Sequence, residues 1–225
     1  MAAHQVVGID GYRHGWVAAI REGGEVLWST ASEADVSALL APGCIAAIDM
    51  PIGLLDSGER DCDRLARAHL PGAAARVFPT PPRPVLELGL HAPNDDVQRL
   101  CRALTGKGVS RQSLGLASRI LVLDEALRSD PSDRVVEAHP EVSFCAMSGR
   151  PPLASKKSAA GVGQRMSALR SWLPAIDDLV ARAPADVPID DALDALACSW
   201  TAERWATGTA ITIPEAASRR PFIAV

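Results

Sequence analysis

A chain of 225 residues with 48% hydrophobic and 22% charged side chains can bury one substantial core, and it has no apolar run of 18 residues to span a bilayer. Its formal charge of −4 argues against a protein that coats nucleic acid by bulk electrostatics. Five widely spaced cysteines, none in a CxxC pair, fit reduced thiols better than a disulfide framework or a zinc knuckle. The start, MAAHQVVGID, lacks the basic flank and apolar stretch of a secretory signal, so a cytoplasmic protein is expected.

Residues 5–10 form a mostly apolar run ending in Asp-Gly, and residues 16–21 and 25–29 flank the Gly23-Gly24 turn, together suggesting an antiparallel meander. A short helix is expected over 32–40, with Ser32 as N-cap and Pro42-Gly43 as the stop. Residues 45–49 are almost wholly apolar, as in a strand buried on both faces of a parallel arrangement. Residues 59–70 have helical character. Four prolines (Pro79, Pro81, Pro82, Pro84) then mark a rigid extended loop holding Arg76 and Arg83 at its ends.

Helical spacing resumes over 94–104 and 112–128, separated by TGKGVSR, a turn that presents Lys107 and Arg111. Residues 134–137 are the last clearly buried strand candidate, closed by His139-Pro140. Helical segments over 141–147 and 157–172 precede a looser acidic stretch to Pro188. The final helix takes Asp190 as N-cap and has an apolar stripe of Leu193, Leu196, Ala197 and Trp200. SRRPFIAV at the end is expected to be loosely held.

The order β-β-β-α-β-α-β-α predicts an α/β protein, 1–225 as a single domain, with an inserted Pro-rich loop and helical segment at about 71–130. Its mixed sheet has five strands, three antiparallel then two parallel, flanked by helices. The first strand then lies beside the fourth, which makes Asp10 and Asp49 neighbours near the point where the sheet order reverses. Asp191 and Asp194 share a face of the last helix and can be aimed at Asp10. Each acid also has a plainer explanation: Asp10-Gly11 is an ordinary turn pair, Asp49 can simply end a strand, and Asp191 can complement a helix dipole. Asp194 lies past the first turn, where capping no longer accounts for it.

Charge is uneven along the chain. Residues 60–170 carry 17 Lys+Arg against 11 Asp+Glu, and the flanks carry 6 against 16. The flanks would thus bring metal ligands and the middle would bring groups for an anionic substrate, unless the asymmetry is only that of an ordinary surface.

The segments GIDGYRHGWVAAI, AIDMPIGL, RVFPTPPRP, SRQ, EAHPEVSF, SKKSAAG and DDALDALACSWTAER together resemble the domain of unknown function 429 (DUF429) family of predicted nucleases. DALDALACSW is similar to the final helix of RuvC-type Holliday-junction resolvases, members of the ribonuclease H-like superfamily. The resemblance implies a ribonuclease H-like fold, with Asp10, Asp49, Asp191 and Asp194 as metal ligands and Glu137 as a further candidate acid. Two Mg²⁺ or Mn²⁺ ions roughly 3.5–4 Å apart suit phosphodiester hydrolysis, with Asp10 bridging, Asp49 and Asp194 on one ion each, and Asp191 in support. The expected partner is nucleic acid.

His139 is a candidate proton shuttle or simply a strand-end histidine. Arg76, Arg83, Lys107, Arg111, Lys156 and Lys157 are candidate phosphate contacts or solvated surface charges, and Ser155 is a candidate cap for the helix after it. Two rival functions fit parts of the pattern. One is an actin-like ATPase or phosphotransferase, for which 225 residues leave little room for a second lobe. The other is a non-catalytic nucleic-acid or protein-binding module on the same fold.

Overall fold

A computed structural model describes residues 5–128, 133–151, 154–217 and 219–225. Residues 1–4 of the MAAH start, the last two positions of the 71–130 insertion and Ser218 of the terminal segment lie outside the described residues. The architecture is a mixed sheet flanked by helices. Its strands are β1 (Val6–Tyr12), β2 (Gly15–Glu22), β3 (Glu25–Ala31), β4 (Ile45–Ile48), β5 (Val135–Ala138), β6 (Thr212–Ile213) and β7 (Ile223–Ala224). They lie in the order β3-β2-β1-β4-β5-β7-β6. β1 pairs antiparallel with β2 and parallel with β4, as its central place requires.

The sheet has seven strands, not five. The correction comes from the C-terminal segment: β7 pairs parallel with β5, and Phe222, Ile223, Ala224 and Val225 are all buried rather than loosely held. Four consecutive apolar residues complete the otherwise open edge of β5 and remove their own surface from water.

The helices are α1 (Asp61–Ala68), α2 (Arg83–Gly89), α3 (Asn94–Thr105), α4 (Arg111–Gly115), α5 (Ala117–Arg128), α6 (Pro140–Ser148), α7 (Ala159–Leu169), α8 (Ile176–Ala181) and α9 (Ile189–Ala206). Several expectations change in detail. The helix expected over 32–40 is only a 3-10 turn, Val36–Leu39, capped by Asp35 rather than Ser32. The proline loop stops earlier than expected, because Pro84 falls in the first turn of α2, where its missing N–H leaves no hydrogen bond unmade. Ser158, not Ser155, caps α7, accepting from the Gly161 N–H. Asp190 is not an N-cap: α9 begins directly after Pro188 and places Asp190 within its first turn, complementing the dipole. The acidic stretch before Pro188 contains α8. No helix among the described residues is long and apolar enough to cross a membrane.

Side-chain alternation along the strands gives the sheet two packed faces. Val7, Ile9, Ala46, Ile48 and Val135 pack with Ile120, Leu123 and Leu127 of α5 on one face. On the other, Val17 and Ala19 pack with Leu193 and Leu196 of α9, while Val6, Ala47, Val136 and Ala138 pack with Cys198 and Ala202 further along α9. The period of two therefore sends Asp10 to the α9 face, in step with Val6 and Tyr12.

Gly8 controls how close α9 can come. A Cβ built there would lie 1.9 Å from the Ser199 nitrogen and 2.1 Å from the Ala195 carbonyl oxygen, both backbone atoms that cannot swing aside. Small residues on α9 (Ala192, Ala195, Cys198, Ser199, Ala202) complete the fit. Gly8→Ala should therefore cost about 3 kcal/mol or more and lower Tm by about 6–12 °C. Gly163→Ala in α7, where a Cβ meets nothing within 4 Å, should instead raise Tm slightly. Thermal denaturation of the two variants checks the contrast, and equal Tm values would remove Gly8 as the packing constraint.

Candidate metal centre

Asp10, Asp49 and Asp194 each place a carboxylate oxygen within 4.8 Å of the others. Three elements deliver them. Asp10 lies within β1 and faces α9. Asp49 is the residue just past β4, and its N–H donates to the Ile9 carbonyl at 2.9 Å, so the strand pairing carries on through it and keeps its side chain on the Ala47 face. Asp194 comes from the second turn of α9, the helix that Gly8 admits onto β1.

The centre is poorly solvated: Asp10 is 5% exposed and Asp194 2%. Asp10 Oδ1 accepts the Gly11 N–H at 2.6 Å. Asp194 Oδ2 accepts from Lys156 Nζ at 2.6 Å, while Asp194 Oδ1 is buried with no hydrogen-bond partner. Burial, with the Asp49 and Asp194 charges adding to it, pushes the Asp10 carboxyl well above the usual carboxylate range. Burial also raises Asp49 and Asp194 to about 7, in each case against the opposing pull of Lys156. Burial works against the Lys156 ammonium, but Asp194 and Asp10 more than offset it and hold the group protonated.

Three convergent carboxylates with one orphaned oxygen and no thiolate or imidazole among them are a donor set for a hard divalent cation. Asp191 stands outside this trio. It is partly exposed, 3.9 Å from Lys156 Nζ, and does not line the cavity over the centre.

That cavity encloses about 620 Å³. Besides the three acids, its wall includes His139, Glu141, Arg76, Arg165 and Lys156, with apolar surface from Met50, Val77, Phe78 and Leu116. Glu141 accepts from Arg76 Nη1 at 2.6 Å and from Arg165, whose Nε is 3.2 Å away. Two guanidiniums on one carboxylate leave this wall net positive. Burial lowers the His139 pKa, against Glu141 and Asp194, and keeps the ring neutral. A hydrogen bond to the Arg76 backbone leaves its buried Nδ1 without a partner.

The other expected site residues are placed differently. Glu137 reaches the cavity, but Ile48 and Glu137 pair in register, which turns its side chain to the face opposite Asp10. There it lies 2.6 Å from Arg60 Nη2 and accepts the Ile52 N–H at 2.7 Å. Arg60 is also 3.2 Å from Asp63, whose second oxygen accepts the Thr80 N–H at 2.7 Å. Arg83 makes a bidentate pair with Asp124 at 2.7 and 2.8 Å. Lys107 pairs with Glu59 at 2.7 Å, and Arg111 and Lys157 are exposed; none of these four lines the cavity.

Sequence reasoning passed over Arg60, Asp63 and Arg165. Arg60 and Asp63 at the start of a helix resemble surface charges tuned to its dipole. Arg165 did carry a signal: it falls three residues after Val162 and four before Leu169, on the apolar stripe of α7, where a cation needs a buried partner.

Fold and centre together define an α/β protein with a buried tri-aspartate site over a cationic wall. The chain belongs to the family described as "Protein of unknown function (DUF429)", whose model matches residues 8–219. No curated protein and no solved structure matches it.

Arg60→Met would strand the Glu137 charge, and it should cost about 3–5 kcal/mol, with Arg60→Met/Glu137→Leu recovering most of that. Urea denaturation checks this, and equal losses in the single and double variants would mean that the pair is not the source. Cation affinity should also depend on pH. Protons compete for carboxylates whose pKa values are raised, so Mn²⁺ affinity should climb at least about tenfold from about pH 6 to pH 8. A flat calorimetric profile over that range would contradict competition at these acids.

Proposed function

We propose that the protein is a nuclease of the ribonuclease H-like class that hydrolyses phosphodiester bonds with Mg²⁺ or Mn²⁺. The observation that carries this reading is the convergence of Asp10, Asp49 and Asp194 within 4.8 Å, with Asp194 Oδ1 buried and unpartnered. Two further features support it. The β3-β2-β1-β4-β5 order and the final helix crossing β1 agree with the arrangement that the family resemblance implies. The cavity also opposes cationic side chains to the acids, as a site for a cation and a phosphate must.

Asp10, Asp49 and Asp194 are the residues that would hold the cation. The chemistry that bound Mg²⁺ or Mn²⁺ supplies is activation of water and stabilisation of negative charge on the entering and leaving oxygens. The chain's own residues do the rest. Arg76 and Arg165, held rigid by Glu141, present fixed positive charge to a phosphate without needing to reorganise. His139, neutral and with a free lone pair at Nδ1, could take a proton from the attacking water and then give it from that atom to the leaving oxygen. The apolar surface from Met50, Phe78 and Leu116 limits competing water.

A cleavage screen with Mn²⁺ or Mg²⁺ over single-stranded, duplex, hybrid and junction DNA and RNA tests the proposal. The wild type should cut at least one substrate, and removing metal with EDTA should stop it. Asp10→Asn, Asp49→Asn and Asp194→Asn should each lose at least about a hundredfold in rate, while Arg170→Ala on the exposed surface should stay within about twofold. Identical rates for wild type and the three Asn variants, or no cleavage of any substrate, would reject the nuclease assignment.

A further inference from the structure

Lys156 Nζ lies 2.6 Å from Asp194 Oδ2, 3.8 Å from Asp190 and 3.9 Å from Asp191, and its charge also acts on Asp10 and Asp49. Its ammonium therefore offsets the acidic centre in this structure. We propose that Lys156 is a built-in competitor for the metal site: its ammonium offsets the carboxylates until a divalent cation arrives, then turns away from Asp194 within the cavity and becomes the contact for the substrate's phosphate. This rests on the metal-binding reading above and adds the residue that couples cation and anion binding.

The local structure suits a side chain that moves on a backbone that does not. Lys156 sits in the turn before α7, outside any regular element, and its side chain is 36% exposed. On its N-terminal side, the Ser155 carbonyl accepts from the Ser158 N–H at 2.9 Å and from its hydroxyl at 2.8 Å. That carbonyl also presses on Gly161, where a Cβ would lie 1.9 Å from it. Arg165 Nη1 donates to the Ala154 carbonyl at 3.3 Å. The anchor is fixed, so the movement falls to the four-carbon stem, which has the reach and the rotatable bonds for it.

Electrostatics supplies the driving force. An ammonium and a divalent cation cannot share Asp194 at hydrogen-bond distance without strong repulsion. Apparent metal affinity is then reduced by the fraction of molecules in which Lys156 occupies the centre. By linkage, an anion that holds Lys156 away from the acids tightens cation binding. Lys156 lines the cavity beside Ser155, His139 and Arg165, so the released ammonium stays next to the positive wall where a phosphate would lie.

The chain has three lysines, Lys107, Lys156 and Lys157, which gives a direct test on the unmodified protein. Amine acetylation with acetic anhydride, followed residue by residue by mass spectrometry, should be slow at Lys156 without metal and at least about fivefold faster with saturating Mn²⁺. Lys107 and Lys157 should not change. In parallel, calorimetry should show Lys156→Met binding Mn²⁺ at least about tenfold more tightly than wild type. Mn²⁺ binding with unchanged Lys156 reactivity, or with equal or weaker affinity in the variant, would overturn the proposal and leave the metal centre standing. No Mn²⁺ binding by either protein would remove the metal centre, and the competitor with it. Should Lys156→Met fail to fold, the labelling result decides alone.

Discussion

The contact between α9 and β1 at Gly8 is the constraint on which the centre depends. A helix normally rests on a sheet through a layer of side chains, and here that layer is missing at one point because Gly8 has none and Ala195 and Ser199 present backbone to it. The close approach puts Asp194, one residue before Ala195, within reach of Asp10, two residues after Gly8. A helix held farther out by ordinary side chains would leave three carboxylates too far apart to share a cation. Close packing therefore turns a pattern of aspartates into a site.

Charge compensation around the centre is uneven, and the unevenness separates scaffold from site. Glu137 is neutralised by Arg60, and Asp63 and two backbone N–H groups complete that network. Glu141 is matched by Arg76 and Arg165. These pairs are geometrically fixed and mostly buried, and they anchor β5, α1, the proline loop and α7 to one another. The three aspartates have no such partners within the scaffold. They have one movable lysine, one peptide N–H on Asp10 and an orphaned oxygen on Asp194. Buried carboxylates left open in this way hold on to protons more tightly than exposed ones, and they could hold a cation in their place.

Much of this was legible in the sequence. The central pairing of the first and fourth strands followed from apolar runs and turn signals, and the convergence of Asp10, Asp49 and Asp194 followed from that pairing with the final helix. Three features were harder to see. Glu137 resembled Asp49, an acid at the end of a buried strand, yet the two point to opposite faces because the register sets Ile48, not Asp49, beside Glu137. A register shift of one residue reverses a side chain, and register between distant strands is not written locally. The pairings of Arg83 with Asp124 and Arg60 with Glu137 likewise join segments far apart in the chain. Strands β6 and β7 are two residues each, too short for any periodicity to register.

The insertion of β7 beside β5 also governs how the molecule is assembled. The chain leaves the ribosome with β1 through β5 first, and both the helix that covers β1 and the strand that closes the edge of β5 come from the last stretch of sequence described. Until that stretch is available, one sheet face is bare and one edge can pair with a neighbouring chain, a condition that favours aggregation or capture by a chaperone. The same delay keeps Asp194 from Asp10 until α9 has been made, so the trio of carboxylates gathers only after β1 and β4 are already in place.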